Sequence, residues 1–287
     1  MSILILGGAG NLGTQLKKSF ADEKAFAWDR EDFDFLNFDE LKQRLFDLKP
    51  SVIINTAAYN AVDKCETDEA EAALAWKLNR ELPAELADYC LTHQILLVHY
   101  STDYVFGGDG RLSSDYNELA HPAPLSIYGM TKFGGEQEIA RRALSGLNYY
   151  IIRTSKLFGP QAKNATAKPS FFDIMLELGR KNPEVKAIDG EISCFTYTPD
   201  LAAATRAMIT EKCARGIYHL TNSGPVSWYE GVKELFSLAG IETPLIAITP
   251  EEWPRPAKRP SFSALANTRR PRLRPWQEAL AEYIKSK

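Results

Sequence analysis

Cysteine is scarce in this sequence, and the cysteines that occur are widely separated. Cys65, Cys90, Cys194 and Cys213 are the four in a chain of 287 residues, and none belongs to a C-x-x-C pair. A disulfide-stabilised secreted domain uses cysteine more densely, and a thiolate metal site needs paired spacing. We therefore expect free, buried thiols in a reducing compartment.

Long apolar runs and a large net charge are also missing. No run approaches the roughly 20 apolar residues that a membrane-spanning helix needs, and the apolar start Ser2–Leu6 is too short for a signal peptide. The formal net charge is −3, which gives no electrostatic attraction to nucleic acid or to an anionic membrane. We expect a cytoplasmic protein with neither of these partners.

Motifs of several other enzyme classes are absent. The sequence contains no G-x-S-x-G nucleophile elbow and no G-x-x-x-x-G-K phosphate loop. His93, His99, His121 and His219 do not have the spacing of metal ligands, so we predict no metal site.

A glycine-rich turn follows the first apolar run. Ser2–Leu6 suits a buried strand, residues 7–13 have the sequence G-G-A-G-N-L-G, and Leu12, Leu16 and Phe20 recur at helical spacing. A strand, a glycine turn and a helix in this order favour a dinucleotide site, with the pyrophosphate at the helix N-terminus. The spacing is G-x-x-G-x-x-G rather than G-x-G-x-x-G, and a glycine turn without a ligand is the alternative.

The second predicted strand, residues 25–28, ends at two opposite charges. Asp29 is suited to accept a hydrogen bond from the adenosine ribose of NAD, whereas Arg30 suits the 2′-phosphate of NADP. Because both are present and adjacent, the sequence leaves NADH and NADPH open as the cofactor. Two solvated loop charges are the alternative.

Strand and helix patterns alternate along the first half of the chain. Residues 51–55 and 94–100 suit buried strands, and residues 68–91 suit a long helix. This alternation predicts an α/β fold with a Rossmann-like, doubly wound parallel sheet. Ligands of such sheets bind beyond the carboxyl ends of the strands, which is where the glycine turn and Thr102 fall.

The alternation weakens in the second half of the chain. We predict a Rossmann domain over residues 1–155, to which residues 187–218 roughly return. A smaller C-terminal substrate-binding domain would then comprise residues 156–186 and 219–287. Residues 158–169 are predicted to form a loop.

A second predicted loop, residues 250–275, is rich in proline and basic residues. The basic residues are Arg255, Lys258, Arg259, Arg269, Arg270, Arg272 and Arg274. A basic loop beside a cleft suits a substrate diphosphate, and Arg259 is our candidate contact. A solvated rim is the alternative.

Tyr128 and Lys132 are one helical turn apart, so a helix over residues 124–145 would present them on one face. A nearby ammonium stabilises a phenolate, so we expect Lys132 to lower the pKa of Tyr128 by about 3 units from its usual value near 10. The Thr102 hydroxyl suits a hydrogen bond that holds a carbonyl oxygen against the phenol. Because Tyr-x-x-x-Lys also occurs by chance on many helices, this spacing needs support from the rest of the chain.

That support comes from the order and spacing of several segments. They are A-A-Y at residues 57–59, A-V-D-K at 61–64, V-H-Y-S-T-D-Y-V-F at 98–106, P-L-S-I-Y-G-M-T-K at 124–132, R-T-S at 153–155, and residues 216–220, 227–229 and 256–260. Together they resemble the dTDP-4-dehydrorhamnose reductase family of the extended short-chain dehydrogenase/reductases. The resemblance covers nearly the whole chain.

The resemblance implies reduction of the 4-keto group of a nucleotide-linked 6-deoxyhexose, dTDP-4-dehydro-L-rhamnose to dTDP-L-rhamnose, by NADPH or NADH. Tyr128 would be the general acid, Lys132 would also bind the nicotinamide ribose, and Thr102 would stabilise the oxyanion. The implied cofactor contacts are Gly7, Gly10, Asn11, Leu12, Gly13, Asp29, Arg30, Asp34, Phe35, Ala57, Ala58, Tyr59, Tyr128 and Lys132. The implied substrate contacts are Asn60, Val62, Thr102, Asp103, Tyr104, Lys156 and Arg259. Whether the protein forms a homodimer is left open.

Three features depart from the family pattern. Lys156 replaces a tryptophan that packs against the sugar, Asn60 replaces a threonine, and residues 189–196 replace D-Q-x-G-x-P-T. We favour an arrangement in which the stem of Lys156 covers the sugar ring while its charge reaches water. The departures leave open a related reductase or epimerase that acts on another sugar. A non-catalytic regulatory subunit of the methionine adenosyltransferase type is also open, although the intact catalytic set argues against it.

Overall fold

The secondary structure alternates between strands and helices. The computed structural model describes residues 1–162 and 168–287, so residues 163–167 of the loop predicted over residues 158–169 lie outside the described residues. The strands of the described residues are β1 (Ser2–Leu6), β2 (Lys24–Trp28), β3 (Val52–Asn55), β4 (Leu96–Thr102), β5 (Tyr149–Thr154), β6 (Leu157–Phe158), β7 (Val185–Ile188), β8 (Ile192–Ser193), β9 (Thr196–Tyr197), β10 (Gly216–His219), β11 (Asn222–Ser223), β12 (Val226–Ser227), β13 (Leu245–Ile248) and β14 (Leu273–Pro275). Their α-helices are α1 (Asn11–Ser19), α2 (Phe38–Leu48), α3 (Val62–Thr67), α4 (Glu69–Trp76), α5 (Leu82–His93), α6 (Ile127–Ala143), α7 (Phe171–Lys181), α8 (Thr198–Thr210), α9 (Trp228–Ala239) and α10 (Trp276–Lys285). None of these helices is both long enough and apolar enough to cross a membrane.

The largest sheet has the strand order β10-β5-β4-β3-β1-β2, and every neighbouring pair in it is parallel. Ile3 and Ile5 of β1 pack beneath α1 and α8, whereas Leu4 and Leu6 pack against α2, α5 and α6. Because both faces of β1 are buried, its sequence is continuously apolar rather than alternating. The predicted Rossmann-like, doubly wound parallel sheet is confirmed.

The helix predicted over residues 68–91 is not continuous. A π-helical turn, Lys77–Glu81, joins α4 to α5 and contains the buried residue Asn79. Asn79 Nδ2 donates to the Tyr59 carbonyl oxygen (3.0 Å) and to the Thr131 hydroxyl (2.9 Å), and Tyr59 N donates to Asn79 Oδ1 (2.9 Å). The predicted stretch is helical from Glu69 onward, but the π turn interrupts its α-helical hydrogen bonding and directs one polar side chain inward. This side chain fastens the loop after β3 to α6.

A second apolar core lies beside the large sheet. Aromatic side chains of α7, α9 and α10 form it, and two small strand pairs flank it, β7 with β13 and β8 with β12. The β7–β13 pairing keeps Val185 and Ala187 with this core, whereas α8 packs on α1 and β10 pairs with β5. The division into two domains stays a prediction, and these pairings favour a return to the Rossmann domain that begins near Thr198 rather than residue 187.

A buried ion pair fastens α6 to the sheet. The Arg153 guanidinium, on β5, donates to both carboxylate oxygens of Glu136 on α6, at 2.9 and 2.6 Å, and both side chains are almost fully buried. A charge pair is tolerated in the interior only when such bidentate hydrogen bonds compensate for lost hydration. Arg153 therefore holds the helix that carries Tyr128 at a defined place on the sheet.

Candidate active site

A cavity of about 950 Å³ opens at the carboxyl ends of the parallel strands, between the large sheet and the second core. Its wall contains every predicted cofactor contact except Asp34, and it contains Asn60, Thr102 and Lys156 of the predicted substrate contacts. The other predicted substrate contacts lie outside this wall. Most of the predicted contacts therefore lie in the wall of one cavity, although contact with a ligand stays a prediction for each residue.

The glycine turn packs too closely against its own neighbours to hold side chains at Gly7 and Gly13. Gly7 has φ +78°, and a Cβ added to it would lie 2.7 Å from the Thr56 hydroxyl oxygen. A Cβ on Gly13 would lie 2.2 Å from the Gly7 carbonyl oxygen, so the turn closes onto the first turn of α1 only with glycine at this position. The turn, which we call the cradle, is thus formed by closely packed backbone, and Gly7, Gly10 and Gly13 line the cavity.

The N-terminus of α1 suits an anion. Gly10 precedes the helix without a side-chain cap, and the first turn carries no acidic residue. The amide groups at such a helix end have no intrahelical acceptor, and the helix dipole adds partial positive charge. The cradle therefore fits the pyrophosphate of a dinucleotide. Asn11 also joins the site to the neighbouring loop, since its side chain bonds Lys168 O and Ala162 N at 2.9 Å each.

Asp29 and Arg30 both lie in the cavity wall beyond β2. One carboxylate oxygen of Asp29 accepts from Ala9 N in the glycine turn (2.9 Å), and the other accepts from Arg30 N (2.8 Å). Asp34, by contrast, accepts from Leu36 N (3.0 Å) within a local turn, outside the wall. The placement of Asp29 supports a structural role in the turn besides any contact with a ribose.

We expect NADPH and NADH both to bind, with a preference below about a hundredfold, equivalent to 2.7 kcal/mol. Arg30→Ala should weaken NADPH binding about tenfold and leave NADH nearly unchanged, because only NADPH carries the 2′-phosphate that a guanidinium recognises. Asp29→Ala should weaken both, since it also removes the carboxylate bonded to Ala9 N. Fluorescence titration of each cofactor measures this, and equal losses for both cofactors in Arg30→Ala would contradict the assignment.

Tyr128 and Lys132 both reach the cavity from the first turns of α6. The helix starts where the Ser126 side chain accepts from Gly129 N (3.1 Å). Lys132 Nζ donates to the Tyr100 carbonyl oxygen (2.6 Å) and lies 3.5 Å from His99 Nε2. Burial lowers the pKa of Lys132 to about 8, against an opposing effect of Glu136.

The expected lowering of the Tyr128 pKa by Lys132 was wrong for the protein without cofactor. Burial raises the pKa of Tyr128 to about 12, the Thr102 hydroxyl opposes this, and the Asp103 carboxylate adds to it. The physical reason is that the Lys132 ammonium is directed to the Tyr100 carbonyl oxygen, while the half-buried Tyr128 lies in the cavity wall near the Asp103 carboxylate. Tyr128 therefore keeps its proton at neutral pH.

The Thr102 hydroxyl lies in the same wall, at the end of β4. It accepts from Tyr104 N and donates to an Asp103 carboxylate oxygen, both at 3.2 Å. Asp103 is buried and also accepts from the Ser263 hydroxyl (2.6 Å). Asp103 thus holds the Thr102 hydroxyl by a hydrogen bond but does not itself line the cavity. Tyr104 is also outside the wall, and its ring packs edge-to-face with that of Tyr128, with 5.9 Å between the ring centres.

Arg259 lies outside the cavity wall, where it pairs with Asp63. Its guanidinium donates to both Asp63 carboxylate oxygens, at 2.9 and 2.7 Å, and to the Ala257 carbonyl oxygen. Val62, which begins α3, is also outside the wall. The pairing of Arg259 with a carboxylate weakens the argument for a free cation, so its contact with a substrate diphosphate stays a prediction.

Two buried polar residues near Lys132 were missed by the sequence reasoning. His99 Nδ1 lies 3.1 Å from Asn55 Nδ2, and the two residues are register partners on β4 and β3. Burial, with the Lys132 charge second, lowers the pKa of His99 well below its usual value, so His99 is neutral beside the ammonium. A signal was present, because both residues are polar positions near the carboxyl ends of otherwise apolar strands.

Lys156 does not have the arrangement that we favoured from the sequence. Its Nζ exposes less than 1 Å² and has no hydrogen-bond partner within residues 1–162 and 168–287. The nitrogen lies 3.6 Å from the centre of the Trp228 ring and 5.2 Å from that of Phe195. The expectation that the charge reaches water was therefore wrong, because two aromatic rings of the second core enclose it. Asn60 also lies in the cavity wall, where it accepts from Lys168 Nζ (3.3 Å).

The fold and the cavity together define a class of protein. A dinucleotide cradle and a Tyr128–Lys132 helix open onto one cavity of a doubly wound sheet, and this is the arrangement of the extended short-chain dehydrogenase/reductases. Comparison with known proteins identifies the family within this class. The family described as "RmlD substrate binding domain" matches residues 1–287, and the chain belongs to this dTDP-4-dehydrorhamnose reductase family.

Individual relatives agree over their full length. A probable dTDP-4,6-dihydroxy-2-methyloxan-3-one 4-ketoreductase from Streptomyces antibioticus is 35% identical, with 98% of this chain and 94% of the relative covered. The crystal structure of a dTDP-4-dehydrorhamnose reductase from Clostridium acetobutylicum has a TM-score of 0.90 and 36% identity, covering 100% and 99% of the two chains. That of the Bacillus anthracis reductase in complex with NADP has a TM-score of 0.91 and 30% identity, with both chains covered completely.

Proposed function

We propose that this protein is an NAD(P)H-dependent oxidoreductase that reduces the 4-keto group of a nucleotide-linked 6-deoxyhexose, dTDP-4-dehydro-L-rhamnose to dTDP-L-rhamnose. The observation that carries the proposal is the presence of Thr102, Tyr128 and Lys132 in the wall of one cavity with the glycine cradle. Relatives that match over their full length are named dTDP-4-dehydrorhamnose reductase, and one was solved with NADP. These names support the same substrate for this chain.

In this reaction a bound dihydronicotinamide supplies the hydride. The side chains of the protein position and polarise the carbonyl group that is reduced. The Thr102 hydroxyl, which donates to Asp103 in the structure, turns its single proton to the carbonyl oxygen of the substrate, where negative charge develops. The Tyr128 phenol then transfers its proton to the same oxygen and completes the alcohol. The high pKa of Tyr128 keeps this proton in place until the oxygen becomes basic.

Lys132 contributes a fixed positive charge at the base of the site. Its hydrogen bond to the Tyr100 carbonyl oxygen holds the ammonium, and the neutral His99 next to it avoids a second positive charge. A buried cation stabilises the alkoxide-like transition state through space, and its remaining donors suit the hydroxyls of the nicotinamide ribose. This role replaces the direct lowering of the Tyr128 pKa that the spacing predicted.

A second candidate function is reduction or epimerisation of a different keto sugar. The buried Lys156 favours it, since the family pattern has tryptophan there, and the Streptomyces relative is named for a different 4-keto sugar. A regulatory subunit of the methionine adenosyltransferase type has less support, because a binding module does not require the Thr102, Tyr128 and Lys132 set.

We further propose that the protein has two domains with the cavity between them. We also propose that it acts in the cytoplasm, and we leave open whether it forms a homodimer.

The experiment that tests the proposal is oxidation of NADPH and NADH against a panel of dTDP- and GDP-linked 4-keto sugars. We expect turnover with dTDP-4-dehydro-L-rhamnose, with the rhamnosyl product identified by mass and NMR. Turnover of another sugar alone would establish the second candidate instead. Cofactor binding with no turnover of any sugar in the panel would favour a non-catalytic role.

A further inference from the structure

The strongest unused feature of the cavity is the buried amine of Lys156. An ammonium group has three hydrogen-bond donors, and a buried donor without an acceptor costs stability. Among the described residues no acceptor satisfies Lys156 Nζ, although Lys156 lies in the cavity wall. The faces of Trp228 and Phe195 compensate for this in part, because their quadrupoles attract a cation.

The nearby carboxylates are already engaged by other groups. Glu191 accepts from both terminal nitrogens of Arg255 and from the indole nitrogen of Trp228 at 3.1 Å. Asp103 accepts from Ser263 and Thr102. Burial lowers the pKa of Lys156 to about 7, and both acids oppose this shift by their proximity, yet neither bonds to the amine. Glu191 instead orients Trp228, so the ring against which the amine lies is itself held in place.

The backbone also holds Lys156 in an unusual conformation. Its φ is +38°, a left-handed value that an L residue with a Cβ adopts reluctantly. The Lys156 carbonyl oxygen accepts from Thr196 N (3.2 Å), which ties the residue to β9. A strained, anchored backbone that places an unpaired donor in the aromatic wall of a ligand cavity is more typical of a binding role than of packing alone.

The position along the sheet indicates which part of the ligand Lys156 meets. Thr154 on β5 is the register partner of Thr102 on β4, and Lys156 is two residues beyond Thr154. Lys156 therefore lies on the side of the cavity that carries the reacting carbonyl, whereas the glycine cradle lies across the sheet on β1. The flanking aromatic rings suit the C–H face of a sugar.

We infer that Lys156 is a specificity-determining residue of the sugar subsite, where it donates a hydrogen bond to a ring hydroxyl of the keto sugar. The inference rests on the proposed function and adds to it a preference among keto sugars, which the proposed reaction alone does not specify. The site is selective for 4-keto sugars that retain this hydroxyl and rejects the corresponding deoxysugars. Rejection is expected because a deoxysugar leaves the buried donor unpaired.

The test compares kcat/KM for dTDP-4-dehydro-L-rhamnose with that for its 2-deoxy and 3-deoxy counterparts. We expect the wild-type protein to prefer the fully hydroxylated sugar over one of the deoxysugars by about 10- to 100-fold, the range for a hydrogen bond to a charged group. Lys156→Met keeps the length of the side chain without its donors, and it should reduce that preference to below about threefold. Lys156→Trp restores the residue of the family pattern and serves as a second variant should Lys156→Met fold poorly.

Measurements of cofactor affinity, inhibition by dTDP and wild-type turnover distinguish the possible outcomes. NADPH affinity should be unchanged in both variants, because the amine lies away from the cradle. An equal loss on all three sugars would assign Lys156 a structural role and overturn the inference. Weaker competitive inhibition by dTDP in Lys156→Met would assign it to the diphosphate instead, which also overturns it. Wild-type protein that binds NADPH but turns over none of the three sugars would show that the proposed function itself is wrong.

Discussion

Tyr128→Phe should lower kcat for the keto sugar by roughly 10²- to 10⁴-fold, the usual contribution of a positioned general acid. The substitution removes one oxygen atom and the proton that the alkoxide requires, while the ring still packs against Tyr104. NADPH affinity should change little, because the pyrophosphate cradle is formed by other residues. Steady-state kinetics combined with fluorescence titration of NADPH would measure both effects.

The control for this variant is Tyr150→Phe. Tyr150 is also a largely buried tyrosine, but its hydroxyl donates to the Cys213 carbonyl oxygen (2.8 Å) beneath the sheet, away from the cavity. Tyr150→Phe should therefore retain wild-type turnover. Near-wild-type kcat in Tyr128→Phe, with a confirmed substrate, would remove the phenol from the proposed chemistry.

The pKa of Tyr128 bears on the direction of the reaction. Reduction needs a protonated phenol, and burial supplies one by raising the pKa to about 12. The spacing of Tyr128 and Lys132 led us to expect the opposite shift, because proximity on a helix face was taken to imply direct contact. Sequence spacing identifies which side chains share a helix face. The direction of the Lys132 ammonium depends instead on the Tyr100 carbonyl group of β4, which the spacing does not reveal.

The fold was predictable because most of its signals are local. Ser2–Leu6 is continuously apolar and is followed by glycine, so both the strand and the turn are evident without tertiary information. The π-helical turn was not predictable, since Asn79 looks like any polar residue on an exposed helix until its partners, Tyr59 and Thr131, are known. Long-range contacts decide such irregularities.

The candidate site was likewise predictable from the sequence only in part. The residues that follow the strands of the sheet were predictable, because parallel sheets bring those ends together. Phe195 and Trp228 enter the cavity from the second core, and no periodic pattern marks which of its aromatic residues do so. The environment of Lys156 depends on those two rings, which is why its charge was wrongly expected to reach water.

Lys132→Met should lower kcat/KM by about 10²-fold or more, the usual cost of losing one preorganised electrostatic group. The same substitution should change the pH dependence of stability. Burial lowers the pKa of Lys132 from 10.5 to about 8, so between these pH values the unfolded chain binds more protons than the folded protein. The contribution of Lys132 to the free energy of unfolding therefore rises with pH in this window, by about 3 kcal/mol in total.

Below pH 8 the buried ammonium is a net cost to the folded state, and Lys132→Met removes that cost. The loss of the hydrogen bond to the Tyr100 carbonyl oxygen offsets part of the gain. The difference in free energy of unfolding between Lys132→Met and wild type should thus be most favourable to the variant at pH 7 and fall by up to about 3 kcal/mol by pH 10.5. The effects of other titrating groups, which are common to both proteins, cancel in this difference.

Urea unfolding at pH 7, 9 and 10.5 measures the difference in free energy of unfolding. The substitution Lys181→Met, at an exposed lysine, is a control that should show no such trend. A difference that is constant with pH would mean that Lys132 is not desolvated, and the electrostatic role assigned to it would then lose its basis.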